Sequence, residues 1–281
     1  MKGAAVVSIM ALVVILIVAA MFVLDKTIVI DEQISISRSA TEVYSTVHCA
    51  ELTKRTVESA AYFEGQRAES ELASRKFGYD KWSKGTPTKQ ALLDQFAREV
   101  ETRLDRDLTT DRICNKSVSW GTSDVTTEAV DGKYYIKGSK PFTMANSGNP
   151  KVEISDAGNF HAEADPALFN VVDTALSIID TDYVKNGYSS LEGTEYGSDE
   201  AFNQKAAAMQ ADLNAKYAPL KFEVTFNGSI GTETDTGMDV SVGTQVKMTD
   251  DTKTVGFNSL SPLELTFATE TQLSMLKGAI Q

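Results

Sequence analysis

The chain has 281 residues, of which 42% are hydrophobic, so it can form a normal core in one or two domains. Its formal net charge is -12, and an acidic surface repels both nucleic-acid phosphates and anionic lipid headgroups. The composition therefore argues against a nucleic-acid partner, and the plentiful apolar residues exclude a disordered chain.

The first element is an uncharged stretch from Ala4 to Leu24, in which Ser8 is the one polar residue. At about 1.5 Å per helical residue it spans roughly 30 Å, the thickness of a bilayer core. The stretch predicts a transmembrane helix over residues 4–24, preceded by a short cytoplasmic N-terminus or leader at residues 1–3. A buried core helix and a secretory signal cleaved after Val18-Ala19-Ala20 are the alternatives.

The charges that flank this stretch predict its orientation. Lys2 precedes it, whereas Asp25, Asp31 and Glu32 follow it. Because positive charge stays on the cytoplasmic side, residues after about 25 are expected outside. The predicted location is the cell membrane, with a single pass and an extracytoplasmic C-terminal domain.

Residues 25–110 are predicted to form a helical stalk or an antiparallel helical pair. The segment Thr27–Ser37 suits either a strand or a helix that continues the first one. Small and apolar residues then recur at helical spacing, at Ala40, Val43, Val47, Ala50, Val57, Ala61, Ala68 and Leu72. This stripe predicts the buried face of a packed helix, and a coiled-coil seam is the alternative. A second helix is expected from Thr86-Pro87, as N-cap and first helical residue, to about Leu108.

Residues 111–281 are predicted to form an α+β domain, because strands and helices occur in runs rather than in strict alternation. Asp131-Gly132 between two alternating segments predicts a β-hairpin. Short strands are expected at 142–144, 152–154, 222–226, 240–248 and 263–267. Helices are expected after Asp165-Pro166, with a buried face of Leu168, Val171, Val172, Ala175, Ile178 and Ile179, and from Glu200 to Tyr217.

The two cysteines, Cys49 and Cys114, lie in no zinc-binding pattern, and in an exported domain they are expected to form a disulfide. Two separate buried thiols are the alternative. Asn115-Lys116-Ser117 and Asn227-Gly228-Ser229 are acceptor patterns for N-glycosylation, which places potential glycans on Asn115 and Asn227.

Residues that carry chemistry are scarce. The two histidines, His48 and His161, complete no catalytic arrangement with a cysteine or serine. Asp235-Thr236-Gly237 matches the core of the aspartic-protease motif, but no second copy exists to supply the other carboxylate. The acidic residues Glu233, Asp235 and Asp239 lack EF-hand spacing, so a solvated loop is favoured over a Ca²⁺ site. We expect no catalytic residue, cofactor or metal, and no enzymatic activity.

Lys2-Gly3 followed by Ala4-Ala5-Val6-Val7 resembles the start of archaeal type IV pilin and archaellin precursors. The resemblance implies leader cleavage after Gly3 and an apolar helix that packs in a filament core. Ser8 stands at the fifth mature position, where bacterial pilins carry Glu. The remaining layout is also similar to that of archaeal single-pass envelope proteins.

These observations predict a membrane-anchored structural or interaction protein of the cell surface, of which a pilin-like filament subunit is one form. Its expected partners are membrane lipid through residues 4–24 and either copies of itself or another envelope protein. A monomeric anchored receptor or adhesin is the alternative, and a tethered hydrolase ranks last.

Overall fold

The computed structural model describes residues 2–131, 133–146, 151–164, 166–196, 198–255 and 261–277. The helices are α1 (Lys2–Ser74), α2 (Lys89–Asp107), α3 (Pro166–Asp180), α4 (Tyr183–Tyr188) and α5 (Asp199–Lys216). The strands are β1 (Arg112–Ile113), β2 (Lys116–Trp120), β3 (Asp124–Val130), β4 (Lys133–Ser139), β5 (Phe142–Ala145), β6 (Glu153–Asp156), β7 (Asn159–Glu163), β8 (Lys221–Glu233), β9 (Met238–Val255) and β10 (Ser261–Met275).

The structure is α+β, yet the predicted fold class is wrong in its first element. In the part of the chain that the structure describes, no helix holds an apolar stretch long enough to cross a bilayer. Among the described side chains of α1, the uncharged stretch runs from Leu16 to Leu24 and ends before Lys26, whereas a membrane span needs about 20 consecutive apolar residues. The predicted transmembrane helix over residues 4–24 is therefore corrected: these residues begin a single helix of 73 residues. The side chains of residues 1–15, including the predicted cleavage position at Gly3, lie outside those described.

The chain divides into two compact units. The N-terminal unit comprises residues 1–54, 110–120 and 142–156, and the main unit comprises residues 55–109, 121–141 and 157–281. In the N-terminal unit, β1, β2, β5 and β6 form an antiparallel sheet in that order. Its apolar core is small and consists of Cys49, Ala50, Val118, Phe142 and Met144, flanked by Ile113, Trp120 and Ile154.

The main unit contains two antiparallel three-stranded sheets, with the strand orders β3-β4-β7 and β10-β9-β8. Asp131 has φ 52° between β3 and β4, as a tight hairpin turn requires, so the predicted hairpin is confirmed. The six residues predicted as the buried face of α3 are all buried, which is also confirmed.

The strands β8, β9 and β10 contain 13, 18 and 15 residues, so the prediction of short strands in this region is wrong. The ladder continues beyond the apolar segments through Thr, Ser and Gly positions such as Ser229, Gly231 and Thr232, which pair with β9 but are only half-buried or exposed. The hydrophobic pattern cannot mark such positions because Ser, Gly and Thr interrupt the alternation, and the large apolar residue among them, Ile230, is 75% exposed.

The helix α2 begins two residues later than predicted. Thr88, not Thr86, is the N-cap, and its side-chain oxygen accepts a hydrogen bond from the Ala91 N–H at 3.2 Å. Pro87 therefore lies before the helix rather than at its first position. The hydroxyl of Thr88 satisfies one of the free N–H groups of the first turn, which fixes the start of α2.

Arg103 of α2 is buried in the main unit among three carboxylates of α1 and α2, Glu64, Glu71 and Glu99. A second pair joins Arg67 to Asp107 at 3.4 Å. A buried guanidinium is tolerated only when charged partners surround it. These ion pairs therefore link α2 to the C-terminal half of α1, the two segments that were predicted to pair.

Candidate interaction surface

The N-terminal unit brings the two cysteines together. Cys49 lies on α1, and Cys114 lies in the turn between β1 and β2, with 6.2 Å between their Cα atoms. That separation falls in the usual range for a disulfide, so the predicted pair is present in a disulfide-compatible arrangement. Cys114 and Asn115 have φ values of 50° and 61° and form a two-residue hairpin turn that points Cys114 at the helix.

A polar cluster that sequence analysis missed lies next to this pair. Lys116 and Asn146 are buried, and Glu42 of α1 contacts both of them. Glu42 Oε2 is 2.6 Å from Lys116 Nζ and 3.3 Å from Asn146 Nδ2. The hydrogen bond from Lys116, with that from Asn146, holds the pKa of the Glu42 carboxyl below its usual value. The three residues are far apart in the sequence, and only the strand register brings two of them together.

The surface of α1 in the N-terminal unit carries an uncovered apolar row. Ile36, Ala40, Val43 and Val47, here called the open stripe, follow one another at helical spacing on one face. Ile36 is 69% exposed, Val43 45% and Val47 46%. The predicted burial of Val43 and Val47 is therefore wrong, because the sheet of this unit packs on the neighbouring face, which contains Thr46 and Cys49.

The same helix exposes more apolar side chains towards its N-terminus. The exposed residues there include Leu16, Ile17, Met21, Val23 and Leu24. Scattered exposed apolar side chains are normal on a folded protein, but a contiguous row of them marks a surface that another molecule covers. The exposed apolar side chains of α1 between Leu16 and Val47 are therefore the candidate interaction surface of this chain.

Both acceptor asparagines are accessible. Asn115 is exposed in the β1–β2 turn, next to Cys114. Asn227 is exposed on β8 at a β-bulge, and its amide lies 3.4 Å from Gln245 Oε1. Glycosylation of either residue stays a prediction.

The two histidines lie in different units of the chain. His48 is exposed on α1 and stacks on Tyr44 at 6.4 Å. His161 lies on β7 in the main unit and packs against Tyr135. An open groove of about 640 Å³ lies beside His161, and Tyr62 and Phe63 of α1 also line it. Aromatic side chains in a groove of this size form a surface on which a ligand can stack.

The acidic segment around Asp235 lies in the exposed turn between β8 and β9. The turn closes with a hydrogen bond from the Thr234 N–H to the Gly237 carbonyl oxygen at 3.0 Å. Glu233 pairs with Lys277 at 3.0 Å, and Asp239 accepts a hydrogen bond from Ser274. Among the residues that the structure describes, no three His, Cys, Asp or Glu side chains are grouped to hold a metal ion.

Comparisons of the chain with protein-family models, with curated proteins and with solved structures found no match.

Proposed function

We propose that this chain is an extracytoplasmic structural subunit that assembles with copies of itself through the exposed apolar side chains of α1 between Leu16 and Val47, as a pilin-like filament subunit does. The observation that carries the proposal is the open stripe. A helix face with three large apolar side chains about half exposed or more is costly in water unless another surface covers it.

The geometry of the open stripe favours another helix as its cover. Its residues recur at the spacing that forms a ridge on a helix surface, and Ala40 within the row permits close approach of a second backbone. The same helix on a second copy supplies a matching ridge, and a head-to-tail repeat of one contact produces a filament. The net charge of -12 disfavours nucleic acid and anionic lipid as alternative partners.

The cysteine pair supports the extracytoplasmic part of the proposal. Disulfides persist in oxidising compartments and are rare in the reducing cytosol. Cys49 and Cys114 are placed to form one, and the hairpin turn at Cys114 holds its side chain towards α1.

The test compares two double variants of the full chain. Val43→Glu with Val47→Glu puts charges on the open stripe, whereas Ser35→Glu with Ser45→Glu adds the same charge at other exposed positions of α1. Light scattering and electron microscopy should show regular multimers for the natural chain and the serine variant, and monomers for the valine variant. Circular dichroism checks that each variant keeps its helix content. A natural chain that stays monomeric at every concentration, or two variants that assemble alike, would contradict the proposal.

A monomeric receptor or adhesin is the second candidate, favoured by the groove beside Tyr62 and Phe63. These side chains are 40% and 48% exposed and contact each other edge to face at 5.6 Å. A monomeric chain that binds members of a glycan or peptide array, and loses that binding on Tyr62→Ala, would favour this function over assembly.

A further inference from the structure

Lys116 and Asn146 occupy neighbouring positions across two paired strands. Ser117 on β2 is directly opposite Ala145 on β5, and Lys116 and Asn146 each lie one position beyond this pair. Lys116 is 8% exposed and Asn146 5%. Burying an ammonium group costs energy unless a counter-charge accompanies it, and here Glu42 provides that charge.

The carboxylate of Glu42 bridges the amine and the amide. The same oxygen, Oε2, lies within hydrogen-bond distance of Lys116 Nζ and of Asn146 Nδ2. The distance between Lys116 Nζ and Asn146 Nδ2 is therefore at most the sum of the two hydrogen-bond distances. A carboxylate in this position can take a proton from one nitrogen and deliver it to the other without moving between sites.

The carbonyl of Asn146 is also polarised. Its Oδ1 accepts a hydrogen bond from the Val152 backbone N–H at 2.8 Å. A fixed N–H donor at this oxygen stabilises the negative charge that develops there when a nucleophile adds to the amide carbon. The cluster thus combines a nucleophile, a proton carrier, a leaving group and an oxyanion donor.

We propose that Lys116 and Asn146 join in an intramolecular isopeptide bond, with Glu42 transferring the protons. Glu42 takes a proton from the Lys116 ammonium, and the neutral amine adds to Cγ of Asn146. The Nζ–Cγ bond forms, the Cγ–Nδ2 bond breaks, and the nitrogen leaves as ammonia with protons returned by Glu42. The products are one secondary amide and one ammonium ion, so no oxidant, reductant or cofactor is needed.

The fold favours this reaction over the same reaction in solution. The strand pairing holds the amine beside the amide, which replaces a bimolecular encounter by a local one. The proton transfer runs along the 2.6 Å hydrogen bond between Lys116 Nζ and Glu42 Oε2, so neither group has to move for it. The bond would tie β2 to β5 and leave the open stripe unaffected, so the assembly proposal stands or fails separately.

High-resolution mass spectrometry of the full chain, unfolded and reduced, tests the proposal. The expected mass is lower than that of the sequence by one ammonia molecule, and peptide mapping should recover Lys116 and Asn146 in one branched peptide. A folded natural chain with its full mass would overturn the proposal. A loss of ammonia that maps to any other residue would overturn it equally.

Variants then assign the roles. Lys116→Arg and Asn146→Ala should both restore the full mass, and Glu42→Gln should restore it in most molecules although the amine and the amide remain. Formation of the Cys49–Cys114 disulfide in each variant reports that the N-terminal unit still folds. Complete cross-linking in Glu42→Gln would remove Glu42 from the proposal.

Lys140→Arg is the matched control, because Lys140 is also a buried lysine paired with a carboxylate, that of Asp105. The third member of that cluster is Ser123 rather than an amide, and a lysine–aspartate condensation would release water instead of ammonia. The control variant should keep the loss of ammonia. If the Lys140→Arg chain had its full mass, the reaction would be placed at Lys140, and the assignment to Lys116 would be overturned.

Discussion

The N-terminal unit and the main unit are held together by different means. The main unit buries many large side chains, among them Trp82, Phe96 and Phe267, against long strands. The N-terminal unit has a core of five described residues and short strands, and it adds a cysteine pair and an ion pair between the buried Lys116 and the half-buried Glu42. A unit that buries little apolar area gains little free energy from burial, so cross-links contribute a larger share of its stability.

The largest loss of unfolding free energy is expected from Phe96→Ala in the main unit. Phe96 is fully buried and contacts Phe169 edge to face at 5.2 Å. Removing a buried phenylalanine side chain costs about 3–5 kcal/mol of unfolding free energy. Denaturant titration measures the loss, and Phe63→Ala, at a half-exposed position, is the control. An equal change in the two variants would show that the main unit does not depend on this core.

The next effect should be confined to the N-terminal unit. Replacing Cys49 and Cys114 by serine opens a loop closed over a separation of 65 residues. Loss of such a cross-link removes about 3–4 kcal/mol. Hydrogen exchange should accelerate in β1 and β2, while amides of β9 keep their protection. Two free thiols in protein taken from its native compartment, or equal acceleration in both units, would contradict this account.

The third effect concerns acid stability in the main unit. Burial raises the pKa of the Asp105 carboxyl, but hydrogen bonds from Lys140 and Ser123 outweigh it and hold the pKa below the usual 3.8. A carboxyl with a lowered folded-state pKa stabilises the fold above its unfolded pKa, and this contribution is lost as the pH falls below about 4.

Asp105→Asn should therefore cost about 2 kcal/mol at pH 7, the usual value for hydrogen bonds to a charged group, and much less near pH 2. Denaturant midpoints at the two pH values measure the difference, with Asp80→Asn at an exposed position as the control. A cost that does not depend on pH would show that Asp105 is not a charged partner of Lys140.

The smallest effect is expected at the start of α2. Thr88→Ala removes the side chain that caps the helix, which costs about 1 kcal/mol. A small shift of the denaturant midpoint should result, whereas Thr109→Ala, at an exposed position after the helix, should change it less. A cost as large as that of Phe96→Ala would mean that capping, not burial, dominates this region.

The structure was predicted best from the sequence where the local residue pattern and the burial of the side chains agree. The face of α3 from Leu168 to Ile179 and the hairpin at Asp131 follow from helical spacing and turn chemistry, both of which are local. The full length of β8 to β10 could not be predicted, because polar residues extend these strands by backbone pairing. Backbone hydrogen bonds do not depend on an alternation of apolar side chains, so the sequence pattern does not reveal them.

The candidate surface was predicted only in part. The apolar spacing at Val43 and Val47 indicated a buried face, but spacing alone does not tell which face another element covers. The cluster of Lys116, Glu42 and Asn146 was not predicted at all. It depends on the register between β2 and β5 and on the face of α1 that packs on them, and neither is encoded by neighbouring residues.

A disulfide between Cys49 and Cys114 would have a consequence for the chain after proteolytic cleavage. It would close residues 49–114 into a covalent ring, which includes the exposed segment from Ser83 to Thr86. Exposed loops with small and polar residues are the usual targets of proteases. A cut in this segment would leave both pieces tied through the cystine, so a nicked molecule would still migrate as one chain until it is reduced.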